Sequence, residues 1–169
     1  SAGMPALVSS ACALVGVRGR LHCSKFADEQ GNIIDGDHIM AICAADLMAQ
    51  RKLRKKTLVS TVMSNMGLGV SLKQSGIHHG VSQVGDRYVM EKMKSEKAVL
   101  GGENSGHIIF MDHHTTGDGM LAALKLLEAI SASQTPLSEL VMVMAIFPQE
   151  MINVDVRTKP EIESVSPVT

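Results

Sequence analysis

The chain has 169 residues, a length that suits one ordinary domain, and 45% of them are apolar, enough for a real core. With no Trp, one Tyr and three Phe that core must be aliphatic, and twelve methionines serve as adaptable filler or, alternatively, as a partner surface. A net charge of −1 argues against a binder of nucleic-acid phosphates, and no apolar run reaches membrane-spanning length.

Three cysteines (Cys12, Cys23, Cys43) form no disulfide framework, so a cytoplasmic location is expected. Residues 1–17 are apolar but lack the basic start of a secretion signal. Within them, Ala6-Leu7-Val8 and Ala11 to Val17 read equally as strands or as one short helix. From Asp28 onward the signals sharpen. The run Asp28-Glu29-Gln30-Gly31-Asn32 is a turn cluster leading back into Ile33-Ile34. Asp35 or Asp37 can cap a helix to about Gln50, with Ile39, Cys43 and Leu47 on one stripe. The basic run Arg51, Lys52, Arg54, Lys55, Lys56 follows it. Cations there complement the helix C-terminus; the alternative is an anion site.

Thr57 to Met63 is β-branched and apolar and predicts a buried strand. The turn Ser64-Asn65 offers a rim contact and precedes a short helix to about Gln74. Further strands are predicted near 79–84, 98–103 and 107–112, with a helix from Asp86 to about Glu96. Thr115 or Thr116 can cap a long helix to about Ser133, with Leu121, Leu124, Leu127 and Ile130 on its apolar side. Pro136 starts another helix that stops before Pro148, Met151 to Arg157 alternates like a strand, and the tail from Lys159 reads as linker. Helices interleaved with single strands and then a hairpin predict an α/β fold, a small mixed β-sheet packed with helices.

The segment Gly101-Gly102-Glu103-Asn104-Ser105-Gly106-His107 separates two apolar runs and carries the most chemistry. Gly102 and Gly106 let the backbone turn and approach a ligand closely. If the segment is extended, Glu103, Ser105 and His107 share one face, and an acceptor, a hydroxyl and an imidazole suit sugar hydroxyls. The same residues also read as a polar hairpin loop facing solvent.

The strings GGENSGHIIF at 101–110 and DHHTTGDGMLAALKLL at 112–127 resemble the sugar-recognition loop and following helix of the phosphoglucosamine mutase family, in the α-D-phosphohexomutase superfamily. Supporting strings are GNIIDGDHIMAICA at 31–44, TLVSTVMSNMGLG at 57–69 and VGDRYVMEKM at 84–93. The resemblance implies the family's third domain over 28–147. It makes 1–27 a remnant of a preceding domain or a segment added by cloning, and 148–169 an exit strand and linker toward a C-terminal domain. Family members convert glucosamine 6-phosphate to the 1-phosphate, a step toward peptidoglycan precursors in bacteria. They do so with a phosphoserine loop, a Mg²⁺ loop, a sugar loop and a phosphate loop on four successive domains. On this resemblance Glu103 and Ser105 hold sugar hydroxyls and His107 is the candidate for proton transfer. The partners implied are a hexosamine phosphate and the remaining domains.

One departure is sharp. Where the family carries Asp-Gly-Asp-x-Asp-Arg, this chain reads Arg18-Gly19-Arg20-Leu21-His22-Cys23. Mg²⁺ needs hard oxygen ligands, so no metal is expected in this chain. Lacking nucleophile, metal and phosphate clamp, the chain alone is expected to be inactive. Other motifs weigh less. His78-His79 and His113-His114 cannot each chelate zinc from one strand, since neighbours point to opposite faces. Arg87 can reach a phosphate or make a surface ion pair. Gly117-Asp118-Gly119 fits helix entry better than an anion site. The competing readings are a non-catalytic sugar-phosphate-binding or scaffold module, and a phosphomannomutase or phosphoglucomutase relative.

Overall fold

The computed structural model describes residues 15–16 and 24–150. The segments 6–8 and 18–23, the run 151–157 and the tail lie outside the described residues. Val15–Gly16 (β1) pairs antiparallel with Ser24–Ala27 (β2), which folds back on Ile33–Ile34 (β3). Asp28 closes that turn: its Oδ1 accepts the N–H groups of Gln30 and Asn32, and Gly31 takes a positive φ of 87°.

Gly36–Ala49 (α1) is capped by Asp35, which accepts the His38 N–H at 3.0 Å. Residues Gly36 to Ala44 are all buried, so the first half of α1 is enclosed on every side. The chain then builds a second sheet from Thr57–Thr61 (β4), His78–Ser82 (β5), Leu100–Gly102 (β6) and Ile108–Phe110 (β7). Strand order is β5-β4-β6-β7, parallel except for β7, which returns antiparallel to β6 with Gly102 opposite Ile108. The crossovers are Met66–Gln74 (α2) and Asp86–Glu96 (α3).

Alternation along the strands sorts the core onto two faces. Leu58, Leu100, Ile108 and Phe110 pack with α1, α2 and the later helix Gly119–Ser133 (α4). Val59 and Ile109 pack with Val89 and Met93 of α3 on the opposite face. The small mixed sheet packed with helices is as the sequence predicts, and the helices lie in layers on both of its faces. Methionine fills the core at Met40 and Met93, which are fully buried, whereas Met66 and Met142 are exposed.

Three local expectations need correction. Each strand of the second sheet is shorter than predicted, because turn bonds end the ladder early: Ser64 N–H donates to Thr61 O, and the His113 and His114 N–H groups both donate to Phe110 O. Helix α4 starts at Gly119, not after Thr115 or Thr116, because Asp118 is the cap and its Oδ1 accepts from Met120 and Leu121. Its buried face is Ala122, Leu126, Ala129 and Ile130, while Leu124 is 57% exposed. Steps of three residues lag the 3.6-residue turn by about 60° each, so a stripe spaced 121, 124, 127, 130 drifts around the helix. Finally, Pro136 does precede a helix, Leu137–Leu140 (α5), but after a 3₁₀ turn at Val141–Val143 the chain is extended. Ser71 Oγ donates to Val143 O at 2.7 Å, and Asn65 takes the next segment by its backbone.

Candidate functional site

Strands β4 and β6 are parallel neighbours whose onward connections leave in opposite directions, β4 toward β5 and β6 toward β7. At such a switch point a crevice opens at the carboxyl ends of the strands. The 103–107 loop lies there. It is a tight hairpin rather than an extended segment: Glu103 N–H donates to His107 O and Gly106 N–H to Glu103 O, each at 3.0 Å, with Gly106 at φ 96°. The turn leaves Asn104 and Ser105 exposed at its tip.

Two helix starts hold the loop. From α1, Gly36 N–H donates to Asn104 O at 2.9 Å, and a Cβ on Gly36 would run into the Glu103 carbonyl. From α3, Gly85 N–H donates to Glu103 Oε1 at 2.9 Å. Ser105 Oγ lies 3.4 Å from Glu103 Oε2. Glu103 and Ser105 therefore come together as the alternation argument requires, though by a turn and not by an extended strand. One oxygen of Glu103 is anchored to backbone, and the other faces the hydroxyl at the open side of the loop.

His107 points elsewhere. Its ring is buried at the start of β7 and lies on Gly117, where any Cβ would strike it. Gly117 N–H lies 3.2 Å from His107 Nε2, and Asp86 Oδ2 lies 3.1 Å from the same nitrogen. Nε2 accepts from Gly117 when it carries no proton and donates to Asp86 when it does; the tautomer decides which bond is made. Glu103 and His107 thus meet adjacent residues, Gly85 and Asp86, at the start of one helix. Arg87 is the next residue, but it is exposed and its Nε bonds Glu91 Oε1 at 2.8 Å along α3, which holds its guanidinium pKa above the ordinary value. It is not joined to the loop. Gly102 lets β6 close against β7, since a Cβ there would meet His107 O.

Sequence reasoning missed Gly36, Gly85 and Asp86 as supports. Gly85 is 18 residues from Glu103, and the only local signal was its place ahead of a helix. The proposed rim residue Asn65 is instead a structural clamp. Its side chain accepts the N–H groups of Gly67 and Phe147 and donates to Phe147 O. Beside the loop, Lys25, Ile33, Ile34, Asp35, Gly36, Asn104 and Ser105 enclose a cavity of about 260 Å³.

His78 and His79 meet different partners. His79 Nε2 lies 2.7 Å from Ser60 Oγ, and burial pushes its pKa down, while His78 faces Glu96 at 3.6 Å. Among the described residues no group of three His, Cys, Asp or Glu could hold a metal ion. No helix among them is long and apolar enough to cross a membrane.

The polar loop of this α/β/α unit is thus fixed at the switch point, the place where open α/β sheets generally bind ligands. Over residues 35–147 the chain matches the model of phosphoglucomutase/phosphomannomutase, alpha/beta/alpha domain III, and it belongs to that family. It is similar to the phosphoglucosamine mutase of Geobacter metallireducens, 54% identical over 143 residues that cover 85% of this chain and 32% of that protein. The phosphoglucosamine mutase of Syntrophobacter fumaroxidans is 52% identical over 141 residues, covering 83% of this chain and 31% of that protein. The chain thus spans about a third of the length of these curated relatives.

Solved structures agree on the fold. A phosphoglucomutase/phosphomannomutase family protein from Burkholderia thailandensis superposes with a TM-score of 0.65 at 22% identity, covering 74% of this chain and 27% of its own. The N-acetylphosphoglucosamine mutase of Aspergillus fumigatus, solved with GlcNAc-6P and magnesium, gives 0.62 at 17% identity, covering 83% and 37%.

Proposed function

We propose that this chain is the sugar-binding domain of a phosphoglucosamine mutase, an isomerase that moves a phosphoryl group between the 6- and 1-positions of glucosamine phosphate. The observation that carries the reading is the Glu103 carboxylate, anchored through Oε1 and open through Oε2 at the switch point, in a chain about half identical to phosphoglucosamine mutases. A fixed carboxylate accepting from adjacent hydroxyls orients the sugar ring, and orientation is much of the catalysis in phosphoryl transfer. Ser105 adds a hydroxyl on the same side. Gly102 and Gly106 shape the turn that brings both to the ligand. In this reading His107 handles a proton at Nε2, next to the exposed Asp86 carboxylate. Arg87 would need to leave Glu91 to meet a phosphate.

The parent protein is cytoplasmic and bacterial and serves amino-sugar and cell-wall precursor synthesis. Residues 28–147 form the sugar domain, 1–27 belong to the preceding domain or to cloning, and 148–169 lead to the next. The family's Mg²⁺ does not fit this chain: Arg18, Arg20 and His22 occupy the stretch where it has carboxylates, and they supply no hard oxygen ligands.

Amide chemical-shift mapping with glucosamine 6-phosphate tests the reading. Saturable shifts are expected at 101–107 and at Gly85, with affinity no better than millimolar, about −4 kcal/mol. Glu103→Ala removes a charge-assisted bond of about 1.5 to 3 kcal/mol and should erase them. Shifts confined to other residues, or turnover by the chain alone, would end the proposal.

A further inference from the structure

A second cavity, of about 440 Å³, opens at the opposite edge of the sheet. Its walls include Arg54, ahead of β4, and Phe110, the last residue of β7, so it lies at the amino ends of the parallel strands. None of its lining residues belongs to the sugar loop. Its floor is apolar, made by Leu47, Val99 and Phe110. Around it stand four cations, Arg51, Lys52, Arg54 and Lys125, against two carboxylates. Arg54 pairs with Asp112 at 2.9 Å and Lys125 with Glu128 at 2.8 Å. Arg51 and Lys52 have no ion-pair partner among the described residues, so the rim carries an excess of about two positive charges.

Complementing the end of α1 does not account for this excess. Three of the last four carbonyls of α1 already have backbone partners: Gln50 N–H donates to Asp46 O at 3.0 Å, Arg51 N–H to Met48 O at 3.1 Å, and Lys52 and Leu53 N–H to Leu47 O at 2.8 and 3.1 Å. Arg51 moreover sits at φ 58°, the left-handed position after a helix where glycine is the least strained residue. A guanidinium is held there at a backbone cost, over an apolar basin of ordinary ligand-pocket size.

We propose that this basin binds a small organic phosphate with an apolar or aromatic body. A phosphate monoester carries close to two negative charges at neutral pH, which matches the two uncompensated cations. Guanidinium groups suit its oxygens, and the floor covers the body.

Phenyl phosphate is the probe, read by amide shifts of the full chain. Saturable shifts are expected at Arg51, Lys52, Arg54 and Phe110 and not at 101–107, so this result stands or falls apart from the sugar reading. Benzoate, with one charge, and inorganic phosphate, with no apolar body, should each bind several-fold more weakly. The double variant R51G/K52Q keeps the fold, since glycine tolerates a positive φ, and should weaken binding by about tenfold or more. Circular dichroism confirms that it is folded. Absence of saturation up to about 10 mM, equal affinity for benzoate or inorganic phosphate, or unchanged affinity in the folded double variant would overturn the proposal.

Discussion

The Asp37 carboxylate is buried in the first turn of α1, where its Oδ2 accepts the Asn65 N–H at 2.7 Å. Burial raises its pKa above the ordinary value, with the Asn65 bond opposing. An acid with a raised native pKa holds its proton more tightly when folded than when unfolded. Its contribution to stability is therefore greatest at low pH and falls as pH rises from about 4 through the native value. Asp37→Asn keeps an acceptor for Asn65 without a titrating group. Relative to the parent, this variant should gain stability between about pH 4 and pH 7. Urea denaturation at the two pH values reads the difference, and a difference independent of pH would show that Asp37 does not titrate as described. Cys43 offers a second measurement at this scale. Fully buried on α1, its thiol is pushed up to about 12 by desolvation first and by Asp46 and Glu128 after it. Thiolate is the reactive form, so alkylation mapped by peptide mass spectrometry should spare Cys43 until urea unfolds the chain. Modification of native Cys43 at the rate of a free thiol would contradict its burial.

Between elements, the decisive contact is the start of α1 against the 103–106 backbone. Gly36 meets rigid carbonyl and amide groups there, not a side chain that can swing away. Gly36→Ala should cost about 1 to 3 kcal/mol by overpacking and, more tellingly, displace the loop. Thermal denaturation and the amide shifts of 103–107 together check this; a stable variant with an unmoved loop would show that the contact has slack. The legible part at this scale was local. The Asp28–Asn32 turn and a cap at Asp35 or Asp37 are legible because such bonds fall within four residues, and the structure selects Asp35. The cap of α4 is Asp118 rather than Thr115 or Thr116 because Gly117 is bonded to His107, ten residues earlier, and the helix begins only after it. His107 itself was expected on the face of Glu103 and Ser105. The turn at Gly106 breaks the alternation on which that depended.

At the scale of the molecule, the main core runs from Phe26 on the β2–β3 hairpin through α1 and the sheet to Met144. Phe26 is among the largest fully buried side chains, so the hairpin is packed into the same core as the sheet. Phe26→Ala should cost about 3 to 5 kcal/mol and lower the single unfolding transition of the domain. A separate early transition for the hairpin, with the main one unmoved, would show that the hairpin folds on its own. By itself the sequence determined the alternation of strands and helices, a cap for α1 at Asp35 or Asp37 and the identity of the polar loop, because those depend on side-chain period and on bonds to near neighbours. Only the tertiary structure decided that the loop is clamped by Gly36 and Gly85, that His107 turns inward onto Gly117, and that cations from the end of α1 overhang a cavity at the far edge. Those contacts depend on strand order and on which ends of the strands the helices begin at. Strand order is set by how the whole apolar surface is buried, not by any local run of residues.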